Sequence, residues 1–282
     1  MATDTVLRSS GVTTTILGVL NQFHAFTNLR YTAMHETTLN HKYGVNDIEI
    51  PEYSPTLKYF GIGTRGYKNT DDEQGALPYP GDARCMDLYR PIPIRCIRSA
   101  ELDTVLPLAE RSKYRMKTTR IVDEVEYTLF YLKLIEFNDS VEIVKKDADG
   151  IVSEYPLSPD TWLNPNPPEM NQTGGNINTN INRIIVRATG KCRVDHDEIM
   201  EAVSVLYNGD MNFARISEIG YYTGYDTEVT SAAGEGQSAT TYEAAYVQLA
   251  KHHCFRGSEL FTKGSYIEPI VSLESECCIN GY

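Results

Sequence analysis

The chain has 282 residues, 41% apolar and 23% charged, which is enough apolar material for one large domain or two ordinary ones and excludes wholesale disorder. Asp and Glu number 38 against 26 Lys and Arg, a formal charge of −12; a surface of that sign repels phosphate, so nucleic acid is a poor main partner. The first residues lack the basic and apolar regions of a signal peptide, and no apolar run approaches the roughly 20 residues that span a bilayer, so the expectation is a soluble protein that is not exported and has no membrane partner.

Along the chain, Ile16, Leu20, Phe23, Thr27, Tyr31 and Met34 recur at spacings of three and four, which predicts a helix capped by Thr13–Thr15. Residues 44–98 are punctuated by proline and glycine and read as loops joined by short strands, chiefly Leu57–Ile62 and Ile92–Ile97. The basic run Arg111–Arg120 has two readings, a solvated connector and a DNA contact, of which the connector is the plainer. Tyr127–Ile135 is apolar on both faces and predicts a central strand. Turns at Asn138–Ser140 and Asp147–Gly150, with Val141–Val144 pairing back and Ile151–Tyr155 following, complete a β-meander.

Residues 156–181 are rich in proline, glycine and asparagine and hold the single Trp, Trp162. So long a stretch without regular structure is rare inside a compact domain; it reads either as a disordered surface loop or as an extended arm. The alternation in Asn176-Ile177-Asn178 through Ile181 suits a strand that pairs with a neighbouring chain. Arg183–Ala188 predicts a strand. Asp195 with Glu198 forms a capping box ahead of a helix whose buried stripe is Ile199, Val203 and Leu206 and which stops at Asn208-Gly209. Ser231–Ser238 reads as a loop. Thr240 and Glu243 repeat the cap pattern, with Tyr246, Leu249 and His253 on one face and Gly257 ending a second helix; Ile267–Ile279 closes the chain as a strand.

The chemical motifs fail on context. Gly61-Ile62-Gly63-Thr64-Arg65-Gly66 fits a dinucleotide fingerprint, yet Tyr67–Gly75 offers no apolar helix to hold a pyrophosphate, so a glycine-bent β-turn is the better reading. Asp195-His196-Asp197-Glu198 fans around a helix and caps it. On the helical reading of its segment, His252-His253-Cys254 places His253 on a core or interface and His252 in solvent, suiting neither a metal nor a nucleophile. The six cysteines match no zinc spacing and read as reduced thiols. No catalytic residue, cofactor site or metal site is assigned. The 19 Tyr beside 8 Phe suit either subunit interfaces or strands.

The meander, the Pro/Asn-rich arm and the closing stretch from Val247–Gly257 through Ile279 together resemble a tailed-bacteriophage virion protein, more narrowly the neck proteins of contractile-tailed phages, the collar or gateway components between portal and tail. The resemblance implies a homo-oligomeric ring assembled in the host cytoplasm, adjoining connector or tail proteins, with DNA only as cargo through its channel. The fold expectation is α+β, mainly β, an antiparallel meander with two or three packed helices. Residues 1–155 and 182–282 are expected to form one compact unit, with the arm at 156–181 reaching a neighbour through Tyr155, Trp162, Asn176, Ile177, Asn178 and Ile181. The alternatives are a tail, baseplate or capsid-decorating protein, and a hydrolytic enzyme acting through a carboxylate pair.

Overall fold

The computed structural model describes residues 9–27, 37–45, 48, 54–68, 77–78, 82–147, 149–155, 183–233, 237–259 and 263–278. The chain is mainly β with antiparallel sheets and few helices, as the sequence predicts. Two compact units emerge, one of residues 1–135 with 192–268, the other of 136–191 with 269–282.

In the first unit the strands are β1 (Ser9–Thr14), β2 (Thr56–Gly63), β3 (Tyr67–Lys68), β4 (Leu77–Pro78), β5 (Pro91–Ile92), β6 (Arg95–Arg98), β7 (Tyr114–Val122) and β8 (Val125–Leu134). The second unit adds β9 (Glu136–Phe137), β10 (Glu142–Lys146), β11 (Val152–Glu154) and β12 (Arg183–Lys191). The chain then returns to the first unit for β13 (Val194–Asp195), β14 (Arg215–Ala233), β15 (Gln237–Glu259) and β16 (Tyr266–Ile267), and ends in the second with β17 (Ile270–Cys278). The large sheet runs β1-β15-β14-β2-β8-β6, with β7 on the far side of β8 and β5 beside β2. Register shifts at Ile216/Glu218, Tyr221/Tyr222 and Tyr225/Asp226 break the long β14–β15 ladder, and each such bulge bends the strand pair. The sheet therefore curls. β7 and β15, separated by β8, β2 and β14, come within 8 Å Cα to Cα without pairing, whereas flat sheet would hold them about 19 Å apart. Tyr59, Met116, Leu132, Tyr222, Ala244, Val247 and Leu249, from five strands, meet in one core inside the curl.

Helix α1 (Ile16–Thr27) begins at Thr15, whose Oγ1 accepts from Gly18 N–H at 3.0 Å. Its buried side carries Leu17, Asn21 and His24, while Ile16 is 52% exposed. The expected stripe is thus one residue out of phase, and Asn21 is inward because it donates to Thr223 and Gln248. Tyr31 and Met34 lie outside the described residues. Helix α2 (Leu39–Tyr43) brings Leu39 into the core and donates Asn40 Nδ2 to the Ala244 carbonyl at 2.7 Å.

Three expectations are corrected. Residues 240–257 are strand, not helix: Ala244–Ala250 is buried on every side chain, so the apparent three-and-four spacing of Tyr246, Leu249 and His253 reflected burial on both faces of a strand. The basic run is no connector, because from Tyr114 it forms β7, hairpinned to β8 through Asp123 and Glu124 at positive φ, and its Arg115 is buried. The meander also divides: β8 belongs to the large sheet, whereas β10 pairs with β11 and β12. The Asp147–Gly150 turn holds, with Gly150 at φ 84°.

The second unit is a five-stranded antiparallel sheet, and its main contacts among the described residues are strand to strand. The alternation of side chains places Ile143, Lys145, Ile184, Val186, Leu273 and Ser275 on one face and Glu142, Val144, Lys146, Ile185, Arg187 and Glu274 on the other, where Ile185 is buried. Ile143, Ile184, Val186 and Leu273 are only half-buried.

Candidate functional site

Among the described residues, buried Asp87 accepts from Lys42 Nζ (2.6 Å) and from the Tyr43 and Tyr222 hydroxyls (2.9 Å each). Three further buried carboxylates tie distant segments of the first unit together. Glu218, on β14, is fully buried and accepts from the N–H groups of Tyr89 (2.9 Å), Arg90 (2.8 Å) and Arg65 (3.3 Å). Two glycines make room for this clasp: a Cβ on Gly63 would lie 2.4 Å from Glu218 Oε1, and one on Gly66 would lie 2.1 Å from the Ser217 carbonyl oxygen. The fingerprint glycines are therefore spaced for a carboxylate and a neighbouring strand, with β2 running through Gly63.

His252 joins this cluster. It is fully buried, correcting the expectation of a solvent position, because period-two alternation puts residues 252 and 254 on one face of β15. Its Nε2 lies 3.2 Å from Glu218 Oε2 and 3.6 Å from Cys254 Sγ. A nucleophile–base–carboxylate relay needs the thiol and the carboxylate on opposite ring nitrogens. Here both sit on Nε2, and Nδ1 has no hydrogen-bond partner among the described residues. Burial, with Glu218 and Cys85 nearby, pushes the Cys254 thiol up to about 12, so it stays protonated and a poor nucleophile. Chemically, this group suits a clasp between strand and loop.

The second carboxylate, Glu198, lies in the helix His196–Leu206, where it accepts from Asp195 N–H at 2.9 Å in the expected capping box. It also accepts from Lys133 Nζ at 2.8 Å and from the Tyr114 hydroxyl, which fastens the helix to β7 and β8. Ile199 and Val203 are buried as predicted, and Leu206 is half-buried.

The third, Asp226, stands where β14 leaves the body of the sheet. It accepts from Arg115 (2.7 Å), Lys58 and Tyr59 (2.6 Å). Burial pushes its carboxyl up, but hydrogen bonds from Arg115, Lys58 and Tyr59 outweigh burial and hold it below the usual carboxylate value. β2 pairs with β14 only as far as Gly224, and β1 meets β15 only from Lys251 onward. Among the described residues, the eight residue pairs from Asp226↔Ala244 to Ala233↔Gln237 consequently have no third strand paired to them and form a two-stranded ribbon about 25 Å long, whose base lines a cleft with β7. Among the described residues, Thr227, Glu228, Thr230, Thr240 and Tyr242 are exposed on it.

A cleft of about 540 Å³ opens between the ribbon base and β7, lined by Tyr43, Met116, Lys117, Tyr242 and Glu243 among others. Met116 sits at φ 58° within β7, a costly backbone conformation for a non-glycine residue, with its side chain held in the core. Arg115, beneath, lies 5.8 Å from the Tyr242 ring and is otherwise spent on Asp226 and the carbonyls of Ser112 and Tyr114. The principal exposed feature of this region is thus the ribbon beside an edge strand.

Of the residues singled out for an interface, Tyr155 is half-buried and donates its N–H to the Ile143 carbonyl at 2.9 Å. Trp162, Asn176, Ile177, Asn178 and Ile181 lie outside the described residues. The ribbon was missed, although a signal existed: no Lys or Arg occurs between Arg215 and Lys251, and Thr-containing segments of β-forming residues flank the sequence Gly234-Glu235-Gly236.

Comparison with known proteins gives one match: residues 1–263 match the Family of unknown function (DUF7208), and the chain belongs to that family. No curated protein and no solved structure matches.

Proposed function

We propose that this DUF7208 member is a virion structural protein, a subunit of a ring in the phage neck or head-to-tail connector that works through contacts between copies. The observation that carries the reading is the ribbon. An isolated two-stranded hairpin is marginally stable in water, so one that extends well past its sheet is expected to gain its order from a partner. Its polar, Thr-rich composition and the exposed Tyr242, 43% accessible, suit a contact that is made on assembly. The buried acids support the reading from the other side, because each is engaged in holding segments of the fold.

Mass photometry of the purified chain tests this. The reading predicts one dominant species of fixed copy number, as a closed cyclic assembly requires. A monomer at micromolar concentration, unchanged by further concentration, would overturn it.

A further inference from the structure

We infer that the cleft at the ribbon base binds a small zwitterion with an apolar body, a short peptide with free ends, its carboxylate at Lys117 and its ammonium at Glu243. The site is independent of the ring. The cleft holds about 540 Å³, a volume in the range of small-ligand sites. Tyr114–Thr119 of β7 line it on one side and Val229 with Thr241–Ala244 on the other, with Tyr43–Val45 beside them.

The aromatic lining is set by contacts of its own. Tyr43 donates its hydroxyl to Asp87 at 2.9 Å and stacks on Tyr131 with ring centroids 5.2 Å apart. The Tyr242 ring lies 5.8 Å from the Arg115 guanidinium, and Phe130 packs on Tyr114 at 6.0 Å between centroids. An apolar body entering between rings held in this way orders few side chains, which lowers the cost of binding. Met116, in the same lining, holds φ 58° in mid-strand, and strained backbone of this kind clusters at ligand clamps.

The charges in the cleft divide into spent and unspent. Arg115 is engaged by Asp226 and two backbone carbonyls, and Arg111 by Asp103 and the Leu106 carbonyl. Lys117 on β7 and Glu243 on β15 remain. Neither makes an ion pair or hydrogen bond among the described residues, with each other included. Glu243 is half-buried, so its carboxylate has given up part of its water and has no protein partner in return. Opposite charges that share one cleft without meeting are complementary to a molecule carrying one charge of each sign.

The test uses the full-length chain and the tripeptide Ala-Phe-Ala, titrated by isothermal titration calorimetry beside its N-acetylated and C-amidated forms. Each blocked form keeps the body and loses one charge. The free tripeptide is expected to bind, and each blocked form to bind at least about tenfold more weakly, as loss of a charge-assisted contact implies. Glu243→Gln is expected to weaken the free tripeptide to the level of the N-acetylated form and to leave that form unchanged. Lys117→Met is expected to do the same with the C-amidated form. This crossed pattern separates charge recognition from lost packing, and circular dichroism verifies that both variants fold. Absence of binding at millimolar peptide, equal affinity for all three forms, or variants that bind the free tripeptide like wild type overturns the inference. Binding of the C-amidated form as tight as the free one assigns the cleft to a cation and overturns it too. Each of these results leaves the ring reading standing, because that reading is decided by copy number.

Discussion

Arg115 and Asp226, 111 residues apart in the chain, meet as a buried two-point ion pair, Nε to Oδ1 at 2.7 Å and Nη2 to Oδ2 at 3.2 Å. The pair joins the edge strand β7 to the root of the ribbon. With side chains 3% and 7% accessible, neither partner has water to fall back on. Removing one partner leaves the other charge buried and uncompensated. Asp226→Ala is therefore expected to lower stability by about 3 kcal/mol, seen as a fall in the urea midpoint at unchanged slope.

The same carboxyl sets an acid limit. Its folded value lies below its unfolded one, so its contribution to stability is complete above about pH 4 and is lost as pH falls through the lower folded value. Urea titrations of wild type and Asp226→Asn across that window should show the wild type losing stability more steeply with acid. Parallel curves would contradict the assignment.

Alkali should act through the tyrosines. Burial, reinforced by acceptor carboxylates, raises the hydroxyls of Tyr43 and Tyr222 beside Asp87, Tyr59 beside Asp226 and Tyr114 beside Glu198. A group whose folded value is raised stabilises below its unfolded value and loses that contribution as pH rises past it, here from about pH 10. Tyrosinate absorbance is expected in two phases, exposed rings first and the buried set only as circular dichroism collapses.

Legibility in the sequence followed the range of the signal. Tyr127–Ile135 and the Asp195–Glu198 box were readable because a two-faced apolar run and a cap spacing are local. Thr240 and Glu243 imitated a cap where strand continues, and doubly buried Ala244–Ala250 imitated a helical stripe. Glu218, His252 and the N–H groups of Tyr89 and Arg90 were invisible because they converge across more than thirty residues of sequence. Spacing showed only that Gly63 and Gly66 were glycines, not that a carboxylate and a strand press against them.

Those glycines give a further test. Gly66→Ala places a Cβ against the Ser217 backbone, which cannot swing aside as a flexible side chain would. A loss of about 1–3 kcal/mol is expected, within the range of overpacked sites, measured as a drop in melting temperature. An unchanged melt would mean that the loop is not held as described.

The ribbon itself offers the most direct test. Replacing residues 229–241 by Asn-Gly leaves Glu228 facing Tyr242 across a short turn that suits a hairpin. The account predicts a chain that melts like wild type yet runs as a monomer in mass photometry. A shortened chain that still forms the wild-type particle would contradict the claim that this ribbon exists to join copies.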